Sequence, residues 1–221
     1  MRKIVHDVIG LDLTEWAWPD FDVNLIKVID QVQDVHEILK HVTNRRVCIQ
    51  AGGACGVWPK MFARYFESVI TFEPEPGNWR CLKQNCTGSN IVALNQALGE
   101  HAGTVDMALP ESMNENAGTW YATPGLSTEL TTIDETCSGD VDLIQLDVEG
   151  MEIDALKGAA ETIRRDSPII VIEEKPLPHK SRPCDDARRW LESEFGYGVI
   201  GRVHRDVIMT RRSSTAHREV Q

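Results

Sequence analysis

The chain has 221 residues, 42% of them hydrophobic, which is enough to bury the core of one domain with a small appendage. Its 34 Asp and Glu residues outnumber 23 Lys and Arg, and the net charge of -11 repels polyanions, which argues against an unmodified nucleic-acid polymer as partner. Six cysteines include no Cys-x-x-Cys pair, the opening Met1 to Asp7 is charged too early for a secretion signal, and no stretch approaches the ~20 apolar residues of a membrane span. The expectation is a cytoplasmic protein with reduced thiols and no membrane contact.

Residues 1–44 are read as an N-terminal helical extension on a main domain of residues 45–221. An aromatic, acidic opening (Trp16, Trp18, Asp20, Phe21, Asp22) leads into Val23, Ile26, Ile29, Val32, Val35, Ile38 and Leu39. Their spacing predicts a helix over about 22–41, a surface on which a second copy could also pack, so a homo-oligomer is left open. From Arg46 the text alternates between strands and helices. Strands are expected at 47–50, 69–73, 91–94, 143–146 and 169–172, and helices at 57–66, 76–86, 151–164 and 184–195. Two final runs, 197–203 and 206–210, suggest a closing hairpin.

This rhythm is that of an α/β fold: a doubly wound, mostly parallel sheet of about seven strands with helices on both faces. Residues 110–128, polar and punctuated by glycine and proline, read as a loop carrying Met113, Trp120 and Tyr121. Arg202, Arg205, Arg211, Arg212 and Arg218 make the end locally basic, which a solvated strand and tail explain.

The segment from Gln50 through Ala51, Gly52, Gly53 and Gly56 to Val57 and Trp58 follows a predicted strand and opens a predicted helix. Glycines there let a ligand approach the backbone, and the helix start offers free N–H groups. A dinucleotide fingerprint beginning at Gly52 would need glycine at 54 and 57, where the chain has Ala54 and Val57, which speaks against a nicotinamide oxidoreductase. The second strand ends at Glu73, followed by Pro74; an acid at that place can accept hydrogen bonds from ribose hydroxyls or cap the next helix.

The stretch Asp147-Val148-Glu149-Gly150-Met151-Glu152, ahead of Leu156-Lys157-Gly158, carries the most information. Three acids after an apolar strand cannot all serve packing, since ionised groups near a core are costly unless paired or used. Alternation and helical spacing let at least two of them face one cleft at the carboxyl end of the sheet.

This pattern, with Phe72-Glu73-Pro74, Asn85, Ala97-Leu98-Gly99 and Thr132-Ile133-Asp134 in order, resembles the FkbM-like class I methyltransferases over about residues 46–175. The resemblance implies a Rossmann-like methyltransferase fold, S-adenosylmethionine as cofactor and transfer to a hydroxyl of a sugar, natural product or other small molecule. It implies cofactor contacts from Gln50, Ala51, Gly52, Gly53, Gly56, Val57, Trp58, Glu73, Pro74, Asn78, Gln96, Ala97 and Asp147. Asp147, Glu149 and Glu173 are the candidate catalytic acids, with either Asp147 or Glu149 as base, and Glu152 is expected only to cap.

His179 is a weaker candidate base, and no metal is assigned. Where the family usually has Asp before the glycine turn this chain has Gln50, and the usual Asn is Ala54, which puts the details of methionine binding in question. Those two departures also favour a cofactor-binding module without catalysis, and a modified nucleoside stays open as acceptor. No Asn/Asp-Pro-Pro-aromatic motif follows the acid-bearing strand, which favours oxygen over the amine of a base.

Overall fold

A computed structural model describes residues 11, 15–19, 32–87, 90–109, 119–177, 180 and 182–212. Its strands are β1 (Val47–Ala51), β2 (Ser68–Phe72), β3 (Ile91–Leu94), β4 (Ala97–Leu98), β5 (Gly103–Ala108), β6 (Tyr121–Pro124), β7 (Thr128–Thr131), β8 (Val141–Leu146), β9 (Ile169–Glu173), β10 (Tyr197–Val203) and β11 (Asp206–Arg211). The helices are α1 (Val35–Leu39), α2 (Val57–Phe62), α3 (Pro76–Asn85), α4 (Ile133–Thr136), α5 (Glu152–Lys157), α6 (Ala160–Asp166) and α7 (Asp186–Phe195).

Seven strands form one sheet in the order β10-β11-β9-β8-β1-β2-β3. Pairs among β9, β8, β1, β2 and β3 are parallel, whereas β11 runs antiparallel to both β9 and β10. Because side chains alternate across each strand, the apolar runs feed two cores. Cys48, Val69, Leu143, Val171 and Ile208 point to one face and pack with Val35, Ile38, Val57, Met61 and Phe62. Ile49, Phe72, Ile144, Leu146 and Ile172 point to the other, against Ala155, Leu156, Ile163, Leu191 and Phe195. The doubly wound arrangement expected from the sequence is thus present.

Several boundaries differ. Of the helix expected over 22–41, residues 22–31 lie outside the described part; the rest is a 3-10 turn at Val32–Asp34 running into the short α1. Leu11, Val32 and Val35, with Trp16 and Trp18 beside them, join the same core as β1 and β8. In the stretch read as a loop, residues 110–118 lie outside the described part, but β6 and the start of β7 belong to a second sheet ordered β4-β7-β5-β6. Its β6–β7 turn is held by the Asp106 carboxylate, which accepts from the N–H groups of Leu126 and Ser127 and from the Ser127 hydroxyl.

The helix expected over 151–164 is two helices, and the break has an identifiable cause. A Cβ at Gly158 would lie 2.0 Å from the carbonyl oxygen of Gly99, so only glycine lets the chain pass there. The Asp134 carboxylate then accepts from the N–H groups of Glu161 and Thr162, starting α6 afresh. Three motif segments, at 97–99, 132–134 and 156–158, therefore meet for packing and capping.

Candidate active site

The β1–β2 and β1–β8 registers place Thr71, Gln50 and Gln145 in one row, continued by Val171 on β9. Two residues further along the same face, at the carboxyl ends of the strands, come Glu73, Asp147 and Glu173, with Asp206 of β11 paired in register to Glu173. An apolar floor thus gives way to a neutral polar row and then to an acidic one. This edge is where α/β sheets bind ligands.

The first turn is shaped by backbone approach. Gly52 has φ of 83°, and a Cβ there would lie 2.0 Å from the Asp147 carbonyl oxygen, so the turn and the end of β8 are in contact. The Asp147 N–H donates to Ala51 O at 3.1 Å, extending the ladder by one bond. Gly56, the residue before α2, has φ of 97°. Ala54 also takes a positive φ, 43°, a conformation in which asparagine is enriched and alanine is not. Gln50 is fully buried: its Nε2 donates to Ala51 O and Gly52 O, and its Oε1 accepts from the Thr71 hydroxyl. In this chain Gln50 therefore braces the turn.

Glu73 is 5% exposed and receives the N–H of Ala54 at 2.7 Å on one oxygen and that of Glu75 at 2.9 Å on the other. Burial pushes its carboxyl up to about 7 against these bonds and a further one from the Asn78 side chain. A carboxylate offers about four acceptor positions, so three protein donors leave room for one ligand hydroxyl. The helix-capping alternative falls to the neighbour: Glu75 accepts from Asn78 N and caps α3. Asn95 holds the loop after β2 by donating to the carbonyls of Glu73 and Pro74. Gln96 follows directly in the β3–β4 connection, and Ala97 opens β4. Asn85 joins the glycine turn to the N-terminal segment, donating to both Cys55 O and Ala17 O.

The acids converge. Asp147, Glu149 and Glu173 bring one oxygen each within 4.8 Å of one another, a spacing suited to a cation. An ammonium already serves them: Lys175 Nζ lies 2.7 and 3.0 Å from the two oxygens of Glu149 and 3.9 Å from Glu173. Glu149 reaches it from a left-handed backbone, φ 48°, followed by Gly150 at 95°.

Burial, then the neighbouring Glu173 and Glu149, hold the Asp147 carboxyl well above its usual range. Burial raises Glu173 to about 7, opposed by Lys175. Burial, then Asp147, raises Asp206 to about 7 as well. Burial works against the Lys175 ammonium, but its bond to Glu149 and the surrounding carboxylates keep it above its ordinary value. The cluster therefore sets a charged lysine beside Glu173 and Asp206, two acids that exchange protons near neutrality.

Glu152 accepts from the N–H groups of Val148 and Gly150, which fixes the turn ahead of α5, and burial raises its carboxyl. A cleft beside the cluster is lined by residues that include Gly150, Glu152, Glu173, Lys175, Leu177 and Lys180. His179 lies outside the described residues. Lys175 and Asp206 were not singled out from sequence, since only the adjacency of β9 with β8 and β11 brings them to the acids. Among the described residues no helix is long and apolar enough to cross a membrane.

A family model for the methyltransferase FkbM domain matches residues 59–199, beginning just after the glycine turn. No curated protein matches the chain. Among solved structures, a methyltransferase FkbM from Methylobacillus flagellatus superposes with a TM-score of 0.52 at 18% identity, covering 86% of this chain and 55% of that one. The chain thus spans about half the length of that protein. A precorrin-6y C5,15-methyltransferase from Geobacter metallireducens (TM-score 0.52, 13% identity) covers 92% of this chain and 96% of its own. A magnesium protoporphyrin IX methyltransferase from Synechocystis with bound S-adenosylmethionine (TM-score 0.50, 14% identity) covers 85% and 82%. At these identities the likeness is one of fold.

Proposed function

Because the chain belongs to the FkbM methyltransferase domain family, we propose that it is an S-adenosylmethionine-dependent O-methyltransferase whose acceptor is a hydroxyl of a sugar, natural product or other small molecule. The observation that carries this reading is the placing of Glu73, the glycine turn and the Asp147–Glu173 pair along one edge of one sheet. Glu73 has acceptor capacity for one ribose hydroxyl, and the glycine turn is tied beside it by the Ala54 N–H. Asn78 donates to the Glu73 carboxylate, and Asn95, next to Gln96 and Ala97 in the chain, holds the Glu73 and Pro74 carbonyls; Trp58 stacks on Phe62 in the core.

When bound, S-adenosylmethionine supplies an electrophilic methyl group, so that the acceptor oxygen gains a C–O bond as the S–C bond breaks. The protein's task is to position the hydroxyl and take its proton. Asp147 and Glu173 suit the proton: both are raised by burial, they lie in one row at the carboxyl ends of β8 and β9, and Glu173 lines the cleft. Glu149 suits it less, because its two oxygens are engaged by Lys175. Lys175 suits the hydroxyl oxygen, to which a spare ammonium hydrogen can donate. Carboxylate bases of this kind support oxygen as the nucleophile.

The test is to incubate the protein with methyl-labelled S-adenosylmethionine and a panel of sugars, phenols and amines, and to follow S-adenosylhomocysteine release. Turnover that Asp147→Asn abolishes while the protein stays folded supports the reading. Turnover confined to amine acceptors would overturn the choice of oxygen.

A further inference from the structure

We propose that Gln145 receives the cationic amino group at the methionine end of the cofactor; the assignment rests on the S-adenosylmethionine reading above and names the residue that recognises that end. Gln145 is 1% exposed, and its Oε1 has no hydrogen-bond partner among the described residues. Buried amide oxygens are nearly always paired, so an orphan on the ligand-binding edge of a sheet marks a place where a donor is missing.

Its neighbours do not supply that donor. Gln50 stands beside it in register on β1, but the Gln50 amide is turned into the turn, bonded to Ala51 O, Gly52 O and the Thr71 hydroxyl. On the other side, in β9, stands the apolar Val171. Gln50 stands where the family usually has Asp, and its acceptor oxygen already holds a hydroxyl.

Position selects the amino end of the cofactor rather than another group. Glu73 on β2 takes the ribose, and the proton-accepting acids lie on β8 and β9. A molecule joining the two crosses β1 and β8, the strands that carry Gly52 and Gln145. An ammonium there meets the Gln145 amide oxygen in the neutral row and, one residue pair further along that face, the Asp147 carboxylate. An amide suits this row better than an acid. A carboxylate at 145 would add a like charge beside Asp147, Glu149 and Glu173, whose oxygens already crowd within 4.8 Å.

The test is calorimetric titration of the full chain with two probes. S-adenosylhomocysteine carries the amino acid end; 5'-methylthioadenosine lacks it. Gln145→Leu should weaken the first by about ten- to a hundredfold, the scale of a buried hydrogen bond to a charged group, and leave the second unchanged. Gln145→Met, which keeps the length of the side chain without its amide, should do the same. Equal affinity of the parent and Gln145→Leu for S-adenosylhomocysteine overturns the assignment while the cofactor reading stands, and so does equal weakening of both probes in a folded Gln145→Met chain. Binding of neither probe by the parent chain overturns the cofactor reading, and the assignment with it.

Discussion

The Lys175 ammonium grips both oxygens of Glu149, at 2.7 and 3.0 Å, with the lysine side chain 20% exposed and the glutamate 7%. Two charges removed from water this far are tolerable only together. Lys175→Met should therefore destabilise the fold by about 3–5 kcal/mol, and adding Glu149→Gln should recover most of the loss. Denaturant unfolding of the two single variants and the double variant checks this. Simple additivity of the two losses would mean that the pair is not coupled.

Proton transfer to the Asp147–Glu173 pair requires at least one of them ionised. Burial holds Glu173 at about 7 and, with the neighbouring charges of Glu173 and Glu149, holds Asp147 well above its usual range, so turnover should rise with pH as Asp147 ionises. Glu173→Gln removes a like charge from beside Asp147, which should move that rise to lower pH. A pH profile of kcat for the two proteins decides it; a rise that stays in place excludes electrostatic coupling between the two acids.

Buried acids also govern stability. Glu73, Glu173 and Asp206, each raised by burial to about 7, bind protons more tightly folded than unfolded. The stability this contributes is fully present below their unfolded values near 4.5 and 3.8, and is lost as pH rises through about 7. Each tenfold change in a proton-binding constant corresponds to ~1.4 kcal/mol, so thermal melts should show the ligand-free chain a few kcal/mol more stable at pH 5 than at pH 7.5. Asp206→Asn should flatten that slope.

Two neighbouring turn residues should respond oppositely. Gly52→Ala puts a Cβ 2.0 Å from the Asp147 carbonyl at φ of 83°, so strand β8 must shift and the melting temperature should fall by several degrees or more. Ala54→Gly relieves a positive φ of 43° with no such contact, and should leave stability unchanged or raise it by up to ~1 kcal/mol. Melting both variants beside the parent chain checks the contrast.

Most of the sheet was legible because its strands are apolar runs bounded by turn residues, a local signal. The Asp147–Glu149 acids were legible too, since nothing local explains charge at the end of a buried strand. What local signals could not carry was whatever depends on neighbours distant in sequence. Lys175 looks like a loop lysine until β9 lies against β8, and Asp206 looks like a hairpin residue until β11 pairs it with Glu173. The break at Gly158 is set by Gly99 and by a cap from Asp134, neither of them in the helix itself. Strand β6, Tyr121-Ala122-Thr123-Pro124, has no apolar alternation and owes its conformation to pairing with β5.

The measurement closest to the central claim is calorimetric titration of the chain with S-adenosylmethionine and S-adenosylhomocysteine, beside NAD, in the parent protein and Glu73→Ala. The account predicts micromolar-class binding of the first two, weakened by about 1–3 kcal/mol when the Glu73 carboxylate is removed, and none of NAD. A folded protein that binds neither methionine-derived ligand, or binds them equally well without Glu73, would contradict it.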